Sequence, residues 1–205
     1  MDLALVTGCG PSHLTNIEGL GPLVRSDDAV AFAYRDHKDQ EEYRSQRLPS
    51  QLKAIDLPAV RAMGIEAAAR EAVEHLTREE LKGFFIHLDA DCLDDAIMPA
   101  VDFHMPGGLS WDELGPLLRV ASGSGKAVGI EITIYNPRLD KDSSAARGLA
   151  DVLVVALGTA AYRKAISAYG ALNPSERRSL GRQPRNILGV GAYCDKSTKN
   201  GRSLQ

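Results

Sequence analysis

Two carboxylates one residue apart close the apolar stretch Gly83-Phe84-Phe85-Ile86-His87-Leu88-Asp89-Ala90-Asp91-Cys92-Leu93-Asp94-Asp95, and Asp94 follows close behind. An apolar run of this length, opened by Gly83 and ended by acids, reads as a buried strand. Alternation along a strand sends Asp89 and Asp91 to one side and Ala90 to the other. Two oxygen donors at the exit of a buried strand suit a divalent cation, and ligands of open α/β sheets bind beyond the strands' carboxyl ends. On these residues alone a plainer reading stands beside the metal site. Acids also follow a strand where the chain meets water, forming turns or helix caps.

The surrounding chain supplies the elements that must position such a site. Met1 to Val6 is apolar at once and reads as the end of an element, broken by Thr7-Gly8-Cys9-Gly10-Pro11. Ala29 to Tyr34 is a short buried strand, and Asp36-His37-Lys38-Asp39 then reads as an exposed loop rather than a ligand cluster. Gln40 to Arg47 is polar helix or loop, and Leu57 to Met63 a short strand or turn. Glu66 to Leu76 places Ala67, Ala68, Ala72, Val73 and Leu76 at helical spacing, with His75 near the cation-favouring end. Thr77-Arg78-Glu79-Glu80 has the form of a helix start. Ser110 with Glu113 three residues on makes a capping box, and Leu114, Leu117, Leu118 and Ala121 form the buried stripe behind it. Ala127 to Tyr135 is a further strand, and Ser143 or Ser144 caps a helix running to Leu157. Strand and helix in alternation predict an α/β fold, a mostly parallel sheet with helices on both faces.

The totals narrow the classes. With 205 residues and 44% hydrophobic content the chain has enough material for one ordinary core, aliphatic because only 5% is aromatic. A net charge of -3 gives no reason to expect nucleic-acid or membrane partners. Cys9, Cys92 and Cys194 are scattered and odd in number, which matches neither a zinc spacing nor a disulfide framework. A reducing cytoplasm is the expected location. Residues 1–170 read as the folded part, and 171–205 as a basic, flexible tail, rich in Arg and Lys with little to bury beyond Ile187-Leu188.

The segment His87-Leu88-Asp89-Ala90-Asp91-Cys92-Leu93-Asp94 resembles the late metal motif of the ureohydrolase family, which includes arginase, agmatinase and formimidoylglutamase. That family continues with a Pro-containing loop, Gly-Gly-Leu-Ser/Thr opening a helix, and a strand ending in Asn-Pro. Here Pro99 to Pro106, Gly107-Gly108-Leu109-Ser110 and Gly129 to Pro137 follow in that order. The likeness runs from about Leu3 to Leu157 and is most specific between Ile86 and Pro137. It implies an arginase-like three-layer fold and hydrolysis of a guanidino or formimino C–N bond by two manganese ions. It also implies a small guanidino or formimino substrate and possible homo-oligomers. The alternative within the fold is a catalytically inactive member serving as a binding subunit.

By the same resemblance Asp89 and Asp91 correspond to the late metal ligands, with Asp94 behind them in a supporting role. His87 shares Asp89's side and reads equally as a supporting partner or a packed histidine. His104 and Glu131 are the weak candidates for contact with substrate or protons. The family's early Gly-Gly-Asp-His and Asp-Ala-His-x-Asp segments are not found, so the resemblance implies the C-terminal part of such a protein, truncated at its N-terminal side. Arginases also carry a Glu two residues before Asn-Pro, where this chain has Ile134. By alternation Glu131 lies on the side opposite Ile134, in a supporting or structural role. A haloacid-dehalogenase-like phosphotransferase would also use Asp-x-Asp after a strand. Its downstream Lys and acids find only a poor match in Lys141-Asp142, and Gly107-Gly108-Leu109 has no place in it.

Overall fold

In the computed structural model the described residues are 2–45, 47–158 and 187–190. In chain order the elements are α1 (Asp2–Val6), α2 (Ser12–Thr15), β1 (Ala29–Tyr34), α3 (His37–Glu42), β2 (Lys53–Asp56), α4 (Leu57–Met63), α5 (Ile65–Leu76), β3 (Phe84–Asp89), α6 (Trp111–Gly123), β4 (Ala127–Thr133), α7 (Ser144–Leu157) and β5 (Ile187–Val190). The strands form one sheet in the order β2-β1-β5-β3-β4, and every pairing is parallel. The carboxyl ends of β1, β5 and β3 therefore open on the same edge, with β5 between the other two.

Alternation sorts β1 between two apolar layers. Val30 and Phe32 join the larger core with α4 to α7, while Ala29 and Ala31 face a smaller cluster that includes Leu52 and residues of α1. At Ala33 the backbone turns to φ 57 and the register with β2 slips. After that bulge Ala33 belongs to the larger core and Tyr34 to the smaller one, the exchange of faces that one extra residue produces. Helices thus lie on both faces, as the alternation of elements predicted. The larger core holds Phe84, Ile86 and Leu88 of β3 against Leu114, Leu117 and Leu118 of α6, all essentially inaccessible.

Several local readings change. Leu57 to Met63 is a helix, because the Asp56 carboxylate accepts from the Ala59 amide at 2.8 Å and Pro58 suits a first turn. The exposed loop expected at Asp36 to Asp39 is the start of α3, and Asp36 is buried, its Oδ1 accepting from Gln40 Nε2 at 3.0 Å. Thr77 to Glu80 starts no helix; Thr77 closes α5. Ser143 and Ser144 do not cap α7 through their side chains. Asp140 does so, accepting from the Ala145 and Ala146 amides at 3.2 and 2.8 Å while Tyr135 Oη donates to it at 2.9 Å. The capping box at Ser110 and Glu113 is present as read. The expected tail, 171–205, lies outside the described residues except for 187–190. That segment is a strand inside the sheet, because its backbone pairs with β1 on one side and β3 on the other.

Candidate metal centre

The site begins with the alternation of β3. Its apolar residues Phe84, Ile86 and Leu88 enter the larger core, so Phe85, His87 and Asp89 face the other layer. The register then pairs His87 with Glu131 and Asp89 with Thr133 on β4. His87 Nδ1 lies 2.7 Å from Glu131 Oε1, and its Nε2 lies 3.2 Å from Asp89 Oδ1. The Thr133 hydroxyl donates to the same Asp89 oxygen. A continuous contact chain therefore runs Glu131, His87, Asp89, Thr133. Burial works against a charged ring, but the Asp89 and Glu131 carboxylates outweigh it and push the imidazole up to about 9. The two contacts favour the charged form of His87, in which both ring nitrogens donate.

Asp91 stands differently from what strand alternation implies. The strand ends at Asp89, and Ala90–Cys92 is a single 3-10 turn. The turn carries Asp91 back into the protein, to 8% exposure. Its Oδ1 is buried and has no hydrogen-bond partner among the described residues. Burial, followed by the charge of Asp89, pushes its carboxyl up to about 6. Cys92 is fully buried in the larger core, a packed thiol, and burial raises its pKa.

The loop beyond the turn is held by several groups. Asp94 Oδ1 accepts from the Ala96 amide at 3.0 Å and Oδ2 from the Gly107 amide at 2.6 Å. These amide bonds hold its carboxyl below the usual range. Asp94 thus supports the loop rather than touching Asp91 directly. Gly107 takes φ +77, and a Cβ on Gly108 would lie 2.3 Å from the Leu93 carbonyl carbon, so the paired glycines let the two strands of loop meet. Arg61 of α4 donates to the Gly108 carbonyl at 2.8 Å and pairs with Glu113 at 3.0 Å. Arg35, just after β1, donates to the backbone carbonyls of Asp91 and Leu93 at 3.0 and 3.2 Å and of Met105 at 2.6 Å.

The structure therefore gathers His87, Asp89 and Glu131, brings Asp91 close enough for Asp89 to affect its charge, and leaves His104 outside. His104 is exposed and makes no hydrogen bond to a described residue. Glu131 and Ile134 are not related by strand alternation, since β4 stops at Thr133 and Ile134 takes φ 67. Sequence reasoning missed Thr133, Arg61 and Arg35. The register of β3 and β4 would have found Thr133; the arginines have no local signal, their loop partners being 46 to 71 residues away.

As a donor set, Asp91 offers a buried oxygen without a hydrogen-bond partner among the described residues, which fits a cation, and Asp89 adds a second carboxylate. Among the described residues no group of three or more His, Cys, Asp or Glu side chains is placed to hold one ion. The described residues thus fit part of a metal site rather than a closed one. No described helix is long and apolar enough to cross a membrane.

A parallel sheet covered by helices, with acids at the carboxyl ends of its strands, defines an α/β protein of the kind that binds ligands at that edge. The chain belongs to the arginase family, whose model matches residues 7–158. It is 29% identical over 147 residues to an arginase of Brevibacillus brevis, covering 72% of this chain and 48% of that protein. It is 25% identical over 158 residues to an arginase of Bacillus subtilis, covering 77% and 52%. The fold is similar to that of a solved Bacillus subtilis arginase, with a TM-score of 0.66 at 24% identity over 78% of this chain and 53% of that one. It is also similar to a solved structure from Burkholderia thailandensis described as a hypothetical agmatinase, with a TM-score of 0.58 at 20% identity, covering 78% and 50%. The chain spans about half the length of the curated relatives it matches.

Proposed function

We propose that this chain carries the carboxylate part of a manganese site for arginase-type hydrolysis of a guanidino or formimino C–N bond, with Asp89 and Asp91 as the metal-binding residues. The observation that carries the reading is the buried Oδ1 of Asp91, near enough to Asp89 to feel its charge and without a hydrogen-bond partner among the described residues. A buried polar atom without a partner is costly, and a divalent cation removes that cost while favouring the ionised carboxylate. Oxygen donors without thiolates suit manganese. When bound, such ions lower the pKa of water so that it can attack at neutral pH. His87 neutralises part of the charge on Asp89 and fixes its orientation, and Glu131 and Thr133 hold His87 and Asp89 in turn. Asp94 keeps the loop in shape. The substrate class, a small molecule with a guanidino or formimino group, follows from family membership and the motif between Ile86 and Pro137. A cytoplasmic location and homo-oligomeric assembly belong to the same reading.

A second reading has its own observations. Only two candidate carboxylate donors come together among the described residues, and Ile134 stands where arginases place a Glu. These favour a binding subunit that keeps the fold without turnover. The test is release of urea or ammonia from arginine, agmatine and formimino compounds by the manganese-loaded chain and by Asp91→Asn. Release that disappears in the variant supports hydrolysis. Release from none of them by the unaltered chain supports the second reading.

A further inference from the structure

Among the described residues Arg35 is the long-range cation attached to the turn that carries Asp91. Its Nη2 donates to the carbonyls of Asp91, Leu93 and Met105 at 3.0, 3.2 and 2.6 Å. Its Nη1 and Nε reach Cys92 O and Pro106 O, both at 3.4 Å. One guanidinium thus spans two separate pieces of backbone, the turn 91–93 and the loop 105–106. It lies just beyond β1, which β5 separates from β3 in the sheet. No carboxylate among the described residues shares these hydrogen bonds; carbonyl oxygens hold the guanidinium, while the charges of Asp91 and Asp94 act on it through space. A guanidinium is suited to this because its donors are fixed in one plane; an ammonium presents a point charge on a flexible stem.

The consequence falls on Asp91. A 3-10 turn of three residues has little internal structure to fix the direction of its central side chain. With the carbonyls of Asp91, Cys92 and Leu93 all turned toward Arg35, the backbone that leads away from the Asp91 side chain is fixed from outside the turn. We propose that Arg35 is the positioning residue of the metal-binding turn: it locks the turn to the 105–106 loop and so aims the Asp91 carboxylate, without touching the metal itself. This rests on the metal reading of Asp91 given above. It assigns to the β1 exit a part in the site that the strand's own sequence does not reveal.

The experiment uses the full chain, unaltered and as Arg35→Lys, Arg35→Met and Asp91→Asn. Amide hydrogen exchange is followed without metal, and manganese affinity is measured by electron paramagnetic resonance at a temperature where all variants are folded. Arg35→Lys keeps the charge and loses the planar fork; Arg35→Met loses both. The expected result is faster exchange in 91–94 and 105–107 together in both arginine variants. Their manganese affinity should fall by roughly 10–100-fold, the usual effect of losing an outer-shell support. Unchanged exchange in those two segments overturns the clamp. Faster exchange with unaltered manganese affinity overturns the positioning role and leaves a structural brace. The two readings fail separately. If Asp91→Asn and the unaltered chain bind manganese alike, the metal assignment falls and the positioning role falls with it. If Asp91→Asn is weakened while both arginine variants are not, the positioning role alone falls.

Discussion

β3 and β4 are neighbours in one sheet, yet they are built for different work. β3 pairs on both sides, with β4 and β5, and sends Phe84, Ile86 and Leu88 into the larger core. Among the described residues β4 pairs only with β3, and its Val128 is 59% exposed. The candidate site takes its acids at the β3 exit and its supports, Glu131 and Thr133, from β4. A strand fixed from both sides holds the groups whose placement must be strict, while its neighbour holds those that orient them. A half-exposed Glu131 can still orient His87, because the ring's other nitrogen is tied to Asp89.

The contrast can be broken by substitution, with stability read from urea unfolding. Phe84→Ala, in β3, is expected to cost about 3–5 kcal/mol, the usual loss for an aromatic removed from a close-packed core. A loss below about 1 kcal/mol would mean that the strand is not the fixed one. Gly108→Ala should be next, at roughly 1–3 kcal/mol, because a Cβ there meets the backbone of Leu93 and Asp94. Ser110→Ala removes the cap of α6 and is expected to cost about 1 kcal/mol. Val128→Thr, on the exposed β4 position, should stay within about 0.5 kcal/mol. A large effect at Val128 would show that its side chain is covered and would erase the difference between the strands.

Much of this was legible from the chain alone, for physical reasons that differ by element. β1, β3 and β4 announce themselves as apolar runs with clear stops, and the Ser110–Glu113 box is a local hydrogen-bond pattern that sequence spacing reveals. Strand period puts His87 on the side of Asp89, and the folded chain brings the two into contact. Other features depend on contacts that spacing does not show. Lys53-Ala54-Ile55-Asp56 is too short to display a period, and the helix after it depends on a carboxylate cap from the strand's own last residue. The turn at Asp91 ends the alternation two residues early, so the two acids meet through a different backbone path from the one the strand period implies. Arg35 and the strand 187–190 act across long stretches of sequence, where only the folded sheet brings the partners together.

The most direct test of the metal assignment is manganese binding by the unaltered chain against Asp89→Ala, Asp91→Ala and the double variant, each first shown to be folded. Binding that weakens in each single variant and is lost in the double one is the expected result. Binding unchanged in the double variant would contradict it and place any ion elsewhere in the molecule.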